Sequence, residues 1–213
     1  IKVINTATGG PTTGFSLRYD ARGDRTLKVI ANAGKIQLRD VWPDCRRTRN
    51  ILLGPVLYEL DMTEILDLIG SSEGDIFLDP QGLLRRLGRD GQIEHFCEKE
   101  KFARLVASVN FVKPNELEAH IITGTPNPVE SAKQLIGWGA EIAIVTLGEN
   151  GSVACDKDRC FVVPAFKTTA LDPTGAGDVY AGAFLAEYSR IRDLPSSCLY
   201  ASAAASVMVE NVG

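Results

Sequence analysis

Short apolar segments alternate with amphipathic segments along most of the chain after residue 50. The apolar segments have the length of buried strands, and the amphipathic ones carry apolar residues at helical spacing. The predicted strands are 51–53, 75–79, 109–112, 142–147, 152–155 and 160–163, and the predicted helices are 62–69, 98–107, 115–122, 128–137, 176–190 and 196–210. This alternation predicts an α/β fold with a mostly parallel sheet and helices on both faces. Ligands of such folds bind beyond the carboxyl ends of the strands.

The first part of the chain has a different pattern. Residues 14–20 and 26–31 alternate apolar and polar side chains, and the segment 20–24 between them is rich in turn-forming residues. This arrangement predicts a β-hairpin that forms a small sheet of its own. We therefore expect a hairpin region, 1–33, followed by an α/β core, 34–213.

Composition and charge exclude several classes of protein. Of 213 residues, 45% are hydrophobic and 23% are charged, which is typical of a globular chain with its own core. The net charge is −4 and no stripe of Lys and Arg is present, so we expect no nucleic-acid partner. No apolar run reaches the roughly 18 residues of a membrane span. The segment 1–4 is too short for a signal peptide, and we therefore expect a cytoplasmic protein without a membrane partner.

Two of the five cysteines, Cys155 and Cys160, flank a predicted tight turn at 157–158. Across such a hairpin the two side chains face each other. We expect two free thiols, because disulfides are rare in cytosolic proteins. A bridge is the alternative in an oxidising compartment or a hyperthermophile.

The segment 172–178, with the sequence DPTGAGD, precedes a long apolar helix. Backbone N–H groups of Gly175, Ala176 and Gly177 at the helix start predict an anion hole. Asp178 is the candidate general base, which would accept the proton of a hydroxyl that attacks phosphorus. The alternative is that Asp178 is only a first-turn acid that the helix dipole stabilises.

The string DPTGAGDVYAGAFL, at 172–185, resembles the C-terminal signature of the ribokinase-like (PfkB) carbohydrate kinase family. The resemblance implies a three-layer α/β/α fold with a small β lid at the hairpin near 14–31. It also implies ATP-dependent transfer of a phosphoryl group to a sugar-like substrate. The chain contains no GxxxxGK[ST] motif, so it is not a P-loop enzyme.

Two further segments agree with this resemblance and follow the order of the family. Asn115 and Glu118 match its NxxE motif, which implies that they organise Mg²⁺, partly through water, and the nucleotide phosphates. They also fit a plain helix capping box. Thr146, Gly148 and Gly151 match a TLGxxG loop that lines the ATP site, although a simple β-turn would explain the same residues.

Three more residues receive roles from the resemblance. Asp172 and Thr174 match positions that bind a monovalent cation, K⁺, in many members. Arg85 lies in a DPQGLLR stretch at 79–85 that resembles a branch including inositol kinases, and we expect it to contact substrate or phosphate. The alternative for Arg85 is a solvated side chain after a turn.

The family's first βα unit and its di-glycine substrate motif have no match, since Gly9 and Gly10 lie in a turn before the hairpin. We therefore expect this chain to be part of a larger kinase domain. Lids of this family often pair between subunits, so a homodimer through the lid is expected.

Several functions stay open on these grounds. The first is an ATP-dependent sugar kinase of the ribokinase or fructokinase type, acting on a small polyhydroxy substrate. An inositol or nucleoside kinase of the same family is the alternative. Outside this class, the chain would be a non-catalytic nucleotide- or metabolite-binding protein on the same fold, or a subunit interface protein that uses the exposed lid hairpin.

Overall fold

The computed structural model describes residues 10–19, 25–45 and 47–211. The strands are β1 (Gly14–Tyr19), β2 (Arg25–Ala31), β3 (Asn50–Leu53), β4 (Asp75–Leu78), β5 (Arg85–Leu87), β6 (Ile93–His95), β7 (Phe111–Val112), β8 (Ile142–Thr146), β9 (Ser152–Cys155) and β10 (Cys160–Val163). The helices are α1 (Leu38–Cys45), α2 (Met62–Ser71), α3 (Lys99–Val106), α4 (Glu116–Thr123), α5 (Pro128–Gly137), α6 (Ala176–Ile191) and α7 (Leu194–Val209).

Six strands form the central sheet in the order β10-β9-β8-β7-β4-β3. The strands β3, β4, β7 and β8 pair in parallel, and β9 and β10 are added antiparallel at one edge. The prediction of a mostly parallel sheet is therefore confirmed. The carboxyl ends of β3, β4, β7 and β8 all open onto the same edge.

Helices cover both faces of this sheet. One core cluster packs α2 to α5 on it through buried residues such as Ile65, Phe102, Ile122 and Leu135. The second cluster packs α6 and α7 on the opposite face, where Phe184 lies against Phe77 and Phe111. Because the sheet is buried on both faces, the sequences of its strands are continuous apolar runs and do not alternate between apolar and polar residues.

The predicted hairpin is present as β1 and β2, which form a separate two-stranded sheet. Its predicted turn at 20–24 lies outside the described residues. A second hairpin, β5 and β6, lies beside it, and the amide of Val29 donates to the carbonyl of Gly91 at 2.9 Å. The division of the chain at residue 33 stays a prediction.

Several predicted bounds differ from the observed ones. The strand predicted at 109–112 starts at Phe111, and the side-chain oxygen of Asn110 just before it accepts the amide of Ile76 at 2.8 Å. The last helix starts two residues earlier than predicted, at Leu194. Asp193 caps it by accepting the amide of Ser196, and a proline occupies its first turn.

The expectation of two free thiols is wrong, since Cys155 and Cys160 form a disulfide bond. The two residues are register partners across β9 and β10. The amide of Asp156 donates to the carbonyl of Arg159 at 2.9 Å, which closes the two-residue turn at 157–158. This turn holds the two Cα atoms 4.1 Å apart, so that the sulfur atoms meet.

No helix within the described ranges combines the length and the apolar character that a membrane crossing needs.

Candidate active site

An ion pair joins the carboxyl ends of two neighbouring parallel strands. Asp79 follows β4, Lys113 follows β7, and the Lys113 Nζ lies 2.8 Å from an oxygen of Asp79. The side chains are 11% and 4% exposed, so the pair is buried. Sequence reasoning did not select these two residues. The available signal was a charged residue directly after a buried strand and before a proline in both segments.

The NxxE residues form a complete capping box at the start of α4. The Asn115 side-chain oxygen accepts the amide of Glu118 at 2.9 Å, and the Glu118 carboxylate accepts the amide of Asn115 at 2.9 Å. Glu118 is buried, and burial raises the pKa of its carboxyl group. The structural role predicted for this motif is therefore present, and it holds a buried carboxyl group near the Asp79–Lys113 pair.

The predicted nucleotide loop leaves the end of β8 directly beside this motif. The amide of Thr146 donates to the carbonyl of Pro114 at 3.1 Å, and Thr146 forms an isolated bridge with Asn115. Gly151 ends the turn with φ 88°, and a Cβ atom there would lie 2.1 Å from the carbonyl oxygen of Val163. Glycine is therefore required at this position.

The start of α6 presents backbone donors for which the described residues supply no acceptor. Gly175 has φ 86°, and the Ala176 amide donates to the carbonyl of Pro173 at 3.2 Å. Among the described residues, the amides of Gly175, Gly177 and Asp178 have no hydrogen-bond acceptor. These three amides are available to an anion, whereas the amide of Ala176 is already partly used.

Charged groups surround the partly buried carboxylate of Asp178. Burial and then the Asp79 carboxylate raise the pKa of Asp178, and Lys113 and Arg85 oppose this shift. Lys113 also borders the anion hole, because a Cβ atom on Gly177 would lie 3.4 Å from its Nζ. Asp178, two cations and the donor amides therefore share one region, as phosphoryl transfer chemistry requires.

Arg85 is buried, with 6% of its surface exposed, so the alternative of a solvated side chain is wrong. Its Nη1 donates to the carbonyl of Val56 at 3.0 Å, and its guanidinium lies 5.7 Å from the ring centre of Phe15 in β1. Arg85 thus stands between the hairpin β1–β2 and the strand ends. A contact with substrate stays a prediction.

Asp172 and Thr174 form a local turn before the anion hole. The Asp172 carboxylate accepts the amide of Thr174 at 2.9 Å, and hydrogen bonds to Thr174 lower the pKa of Asp172. The amides of Leu171 and Asp172 donate to the carbonyl of Val209 at the end of α7. A monovalent cation at this turn stays a prediction.

A cavity of about 840 Å³ lies between the nucleotide loop, the segment 165–170, the start of α6 and one face of α7. Such a volume suits a ligand of nucleotide size. Its lining includes five of the predicted site residues, namely Thr146, Gly148, Gly151, Ala176 and Gly177. Asn115, Glu118, Gly175 and Asp178 do not line this cavity.

The described residues contain no group of three His, Cys, Asp or Glu side chains arranged to hold a metal ion. Mg²⁺ commonly binds through one or two carboxylates while water and substrate phosphates complete its shell. The carboxylate of Glu118 fits this open type of site. A closed cage of protein ligands is not available within the described part of the chain.

A family model described as pfkB family carbohydrate kinase matches residues 85–213 of the chain, which is more than half of it. The chain belongs to the pfkB family of carbohydrate kinases. The anion-hole segment, the nucleotide loop and the NxxE motif of this family member all lie within the matched range.

Two curated relatives show the breadth of the family. The chain is 41% identical to the cytidine kinase of Thermococcus kodakarensis over 103 residues, which cover 47% of this chain and 37% of the relative. It is 34% identical to the deoxyribokinase of Salmonella typhi over 187 residues, which cover 84% of this chain and 56% of the relative. The chain therefore spans about half, or less, of the length of these relatives.

A solved structure supports the fold. A pyrophosphate-dependent kinase in the ribokinase family, in complex with sulfate, superposes with a TM-score of 0.83 at 21% identity. The superposition covers 96% of this chain and 72% of that one. The ribokinase-like fold predicted from the sequence is thus confirmed.

Proposed function

We propose that this family member is an ATP-dependent kinase that phosphorylates a hydroxyl group of a small sugar-like substrate. One observation carries the proposal. Three amides that have no acceptor in the described part of the chain lie at the start of α6 with the carboxylate of Asp178, and the first residues of this helix, Ala176 and Gly177, line a cavity of nucleotide size.

In this mechanism Asp178 accepts the proton of the attacking hydroxyl. The substrate oxygen forms a bond with the terminal phosphorus of ATP, the bond to the bridging oxygen breaks, and ADP leaves. The amides of Gly175, Gly177 and Asp178 stabilise the charge that develops on the transferred group. The Lys113 ammonium, beside Gly177, contributes to the same stabilisation.

Cations would complete the charge balance of this site. Bound Mg²⁺ supplies electrostatic stabilisation of the donor phosphates, and Glu118 and Asn115 would hold it, partly through water. The turn at Asp172 and Thr174 would hold K⁺, which favours oxygen ligands. Both assignments rest on the family motifs and on the carboxylate and amide oxygens present.

The substrate would bind between the hairpin β1–β2 and the ends of β3 and β4, with Arg85 facing it. The named relatives act on deoxyribose and cytidine, which share a five-membered sugar with free hydroxyl groups. We therefore propose a sugar or a sugar-bearing substrate. Inositol is also tested, because the stretch at 79–85 resembles a branch that includes inositol kinases.

The proposal extends to assembly and location. The resemblance to family members whose lids pair between subunits supports a homodimer through the lid, where Ile30 in β2 is 69% exposed and open to such a contact. A kinase that draws on cellular ATP would work in the cytoplasm, and with the Cys155–Cys160 bridge such a location corresponds to the hyperthermophile alternative.

A substrate panel tests the proposal. The purified protein is incubated with ATP, Mg²⁺ and, in turn, ribose, deoxyribose, fructose, inositol and nucleosides, and ADP release is measured with and without K⁺. We expect turnover with at least one acceptor. Asp178→Asn should lower kcat roughly 10²- to 10⁴-fold, because a positioned base contributes about that much.

Asp158→Asn is the matched control, since Asp158 is an exposed aspartate in the turn between β9 and β10. It should leave kcat unchanged. ATP binding without ADP release on the whole panel would instead indicate a non-catalytic binding protein. Full turnover by Asp178→Asn would remove the role assigned to Asp178.

A further inference from the structure

Tyr180 and Ser152 form a hydrogen bond in the interior of the chain. The Tyr180 hydroxyl and the Ser152 hydroxyl lie 2.9 Å apart, and the two residues are 5% and 0% exposed. Burial raises the pKa of Tyr180, so its hydroxyl remains protonated and able to donate. Three elements meet at this pair, because Cys198 of α7 also contacts the tyrosine hydroxyl.

The pair stands in apolar surroundings, where packing alone would not require it. Phe184 and Ala201 are buried in the same core cluster as Tyr180. A phenylalanine in place of Tyr180 would bury nearly the same apolar surface. What the two hydroxyls add is a directional contact, since a buried hydroxyl is stable only when its partner lies at one distance and angle.

This contact joins the two halves of the donor site. Ser152 follows Gly151 directly and pairs with Thr146, so it belongs to the base of the nucleotide loop. Tyr180 lies one helical turn after Ala176 and two residues after Asp178, so it belongs to the anion-hole helix. Tyr180 also lines the cavity between them.

We propose that the Tyr180–Ser152 hydrogen bond positions the anion-hole helix relative to the nucleotide loop, and so sets the place of the donor phosphates against Asp178. Tyr180 is a positioning residue here and acts through the segments that it joins. The inference rests on the proposed kinase function.

The test compares Tyr180→Phe, Ser152→Ala and the double variant in kcat, KM for ATP, and melting temperature. Ser152→Ala leaves the tyrosine hydroxyl buried without that partner and should lower stability, whereas the double variant removes both groups and should regain most of it. We expect each single variant to lower kcat about tenfold, because one lost hydrogen bond changes a rate by roughly that factor. The double variant should stay equally slow despite its regained stability.

Tyr188→Phe is the matched control. Tyr188 lies on the same helix, stacks on Phe184 and does not line the cavity, so its hydroxyl should not affect kcat or KM. A purely structural role for Tyr180 would give kcat values that recover together with stability in the double variant. Wild-type kcat and KM in Tyr180→Phe would also overturn the proposal.

Failure of the kinase function is distinguishable from failure of this inference. If the wild-type protein binds ATP and ADP but turns over no acceptor, the kinase proposal fails. The positioning contact is then tested by the ratio of ATP to ADP affinity, which should fall severalfold in Tyr180→Phe and not in Tyr188→Phe. A wild-type protein that binds neither nucleotide overturns both.

Discussion

Two buried neighbours of Asp178, namely Asp79 and Lys113, change the pKa of its carboxyl group in opposite directions. Burial and the Asp79 carboxylate raise its pKa, and the Lys113 ammonium lowers it. In its proposed role as the base, Asp178 is active only when unprotonated, so kcat/KM should fall as the pH drops through this raised pKa. Asp79→Asn should shift this acid limb to lower pH, and Lys113→Met should shift it to higher pH. Both profiles are measured with the substrate that the panel identifies.

Lys133→Met is the control for this prediction, because Lys133 is an exposed lysine on α5 that pairs only with Glu130 among the described residues. Its pH profile should match that of the wild type. Asp79→Asn and Lys113→Met each also break the buried Asp79–Lys113 ion pair, and loss of one partner costs roughly 3–5 kcal/mol of stability. Rates are therefore compared at a temperature where each variant is folded. If the acid limbs of Asp79→Asn and Lys113→Met shifted in the same direction, the opposite effects assigned to these two residues on the pKa of Asp178 would be wrong.

At the scale of elements, strongly patterned segments were predictable and weakly patterned ones were not. The apolar run of β8 and the capping residues of α4 and α5 determined their positions locally. Helix α1 was missed because it contains a proline. The strands β5 and β6 are three residues long, which is too short to show a period.

Prediction of the site from the sequence is likewise limited to residues that a local pattern identifies. The residues of the proposed anion hole and of the capping box are contiguous in sequence, so they could be named in advance. Asp79 and Lys113 meet only because β4 and β7 are neighbours in the sheet. Strand order depends on the packing of the whole sheet, and no local pattern shows it.

The hairpin β9–β10 gives a prediction of its own, because its bridge anchors the edge strand that leads into the segment lining the cavity. Closing a loop of this size restricts the unfolded chain and stabilises the fold by about 2 kcal/mol. Reductant should therefore lower the melting temperature by about 4–8 °C. Alkylation in denaturant without reductant should modify Cys97 and Cys198 and leave Cys155 and Cys160 unmodified.

The variant Cys97→Ser is the control for this bridge, since Cys97 lies outside the hairpin. Its melting temperature should show the same response to reductant as that of the wild type, whereas Cys155→Ser/Cys160→Ser should show none. A wild-type protein that is fully alkylated without reductant would contradict the bridge in solution.

At the scale of the whole molecule, the cavity is built by parts that are distant in sequence. The nucleotide loop, the segment 165–170 and the face of α7 meet around it, and Phe166, Ala205 and Val209 give it an apolar side. A pyrophosphate donor would use only the anion hole, whereas the nucleoside of ATP would also fill the apolar side. We therefore expect bound ATP to contact the anion hole, the nucleotide loop, the segment 165–170 and the face of α7 at the same time.

This geometry predicts a difference in stabilisation. A ligand at one hundred times its Kd stabilises the folded state by about 2.7 kcal/mol. For a chain of this size that corresponds to a rise in melting temperature of about 5–10 °C. At equal millimolar concentration, ATP should raise the melting temperature far more than pyrophosphate does, because the apolar wall adds affinity only for the nucleoside. Ala205→Asp, which puts a charge on that wall, should lower the effect of ATP to about that of pyrophosphate and leave the effect of pyrophosphate unchanged. Equal stabilisation by the two donors would show that the cavity does not bind the nucleoside, and the donor would then be assigned to the anion hole alone.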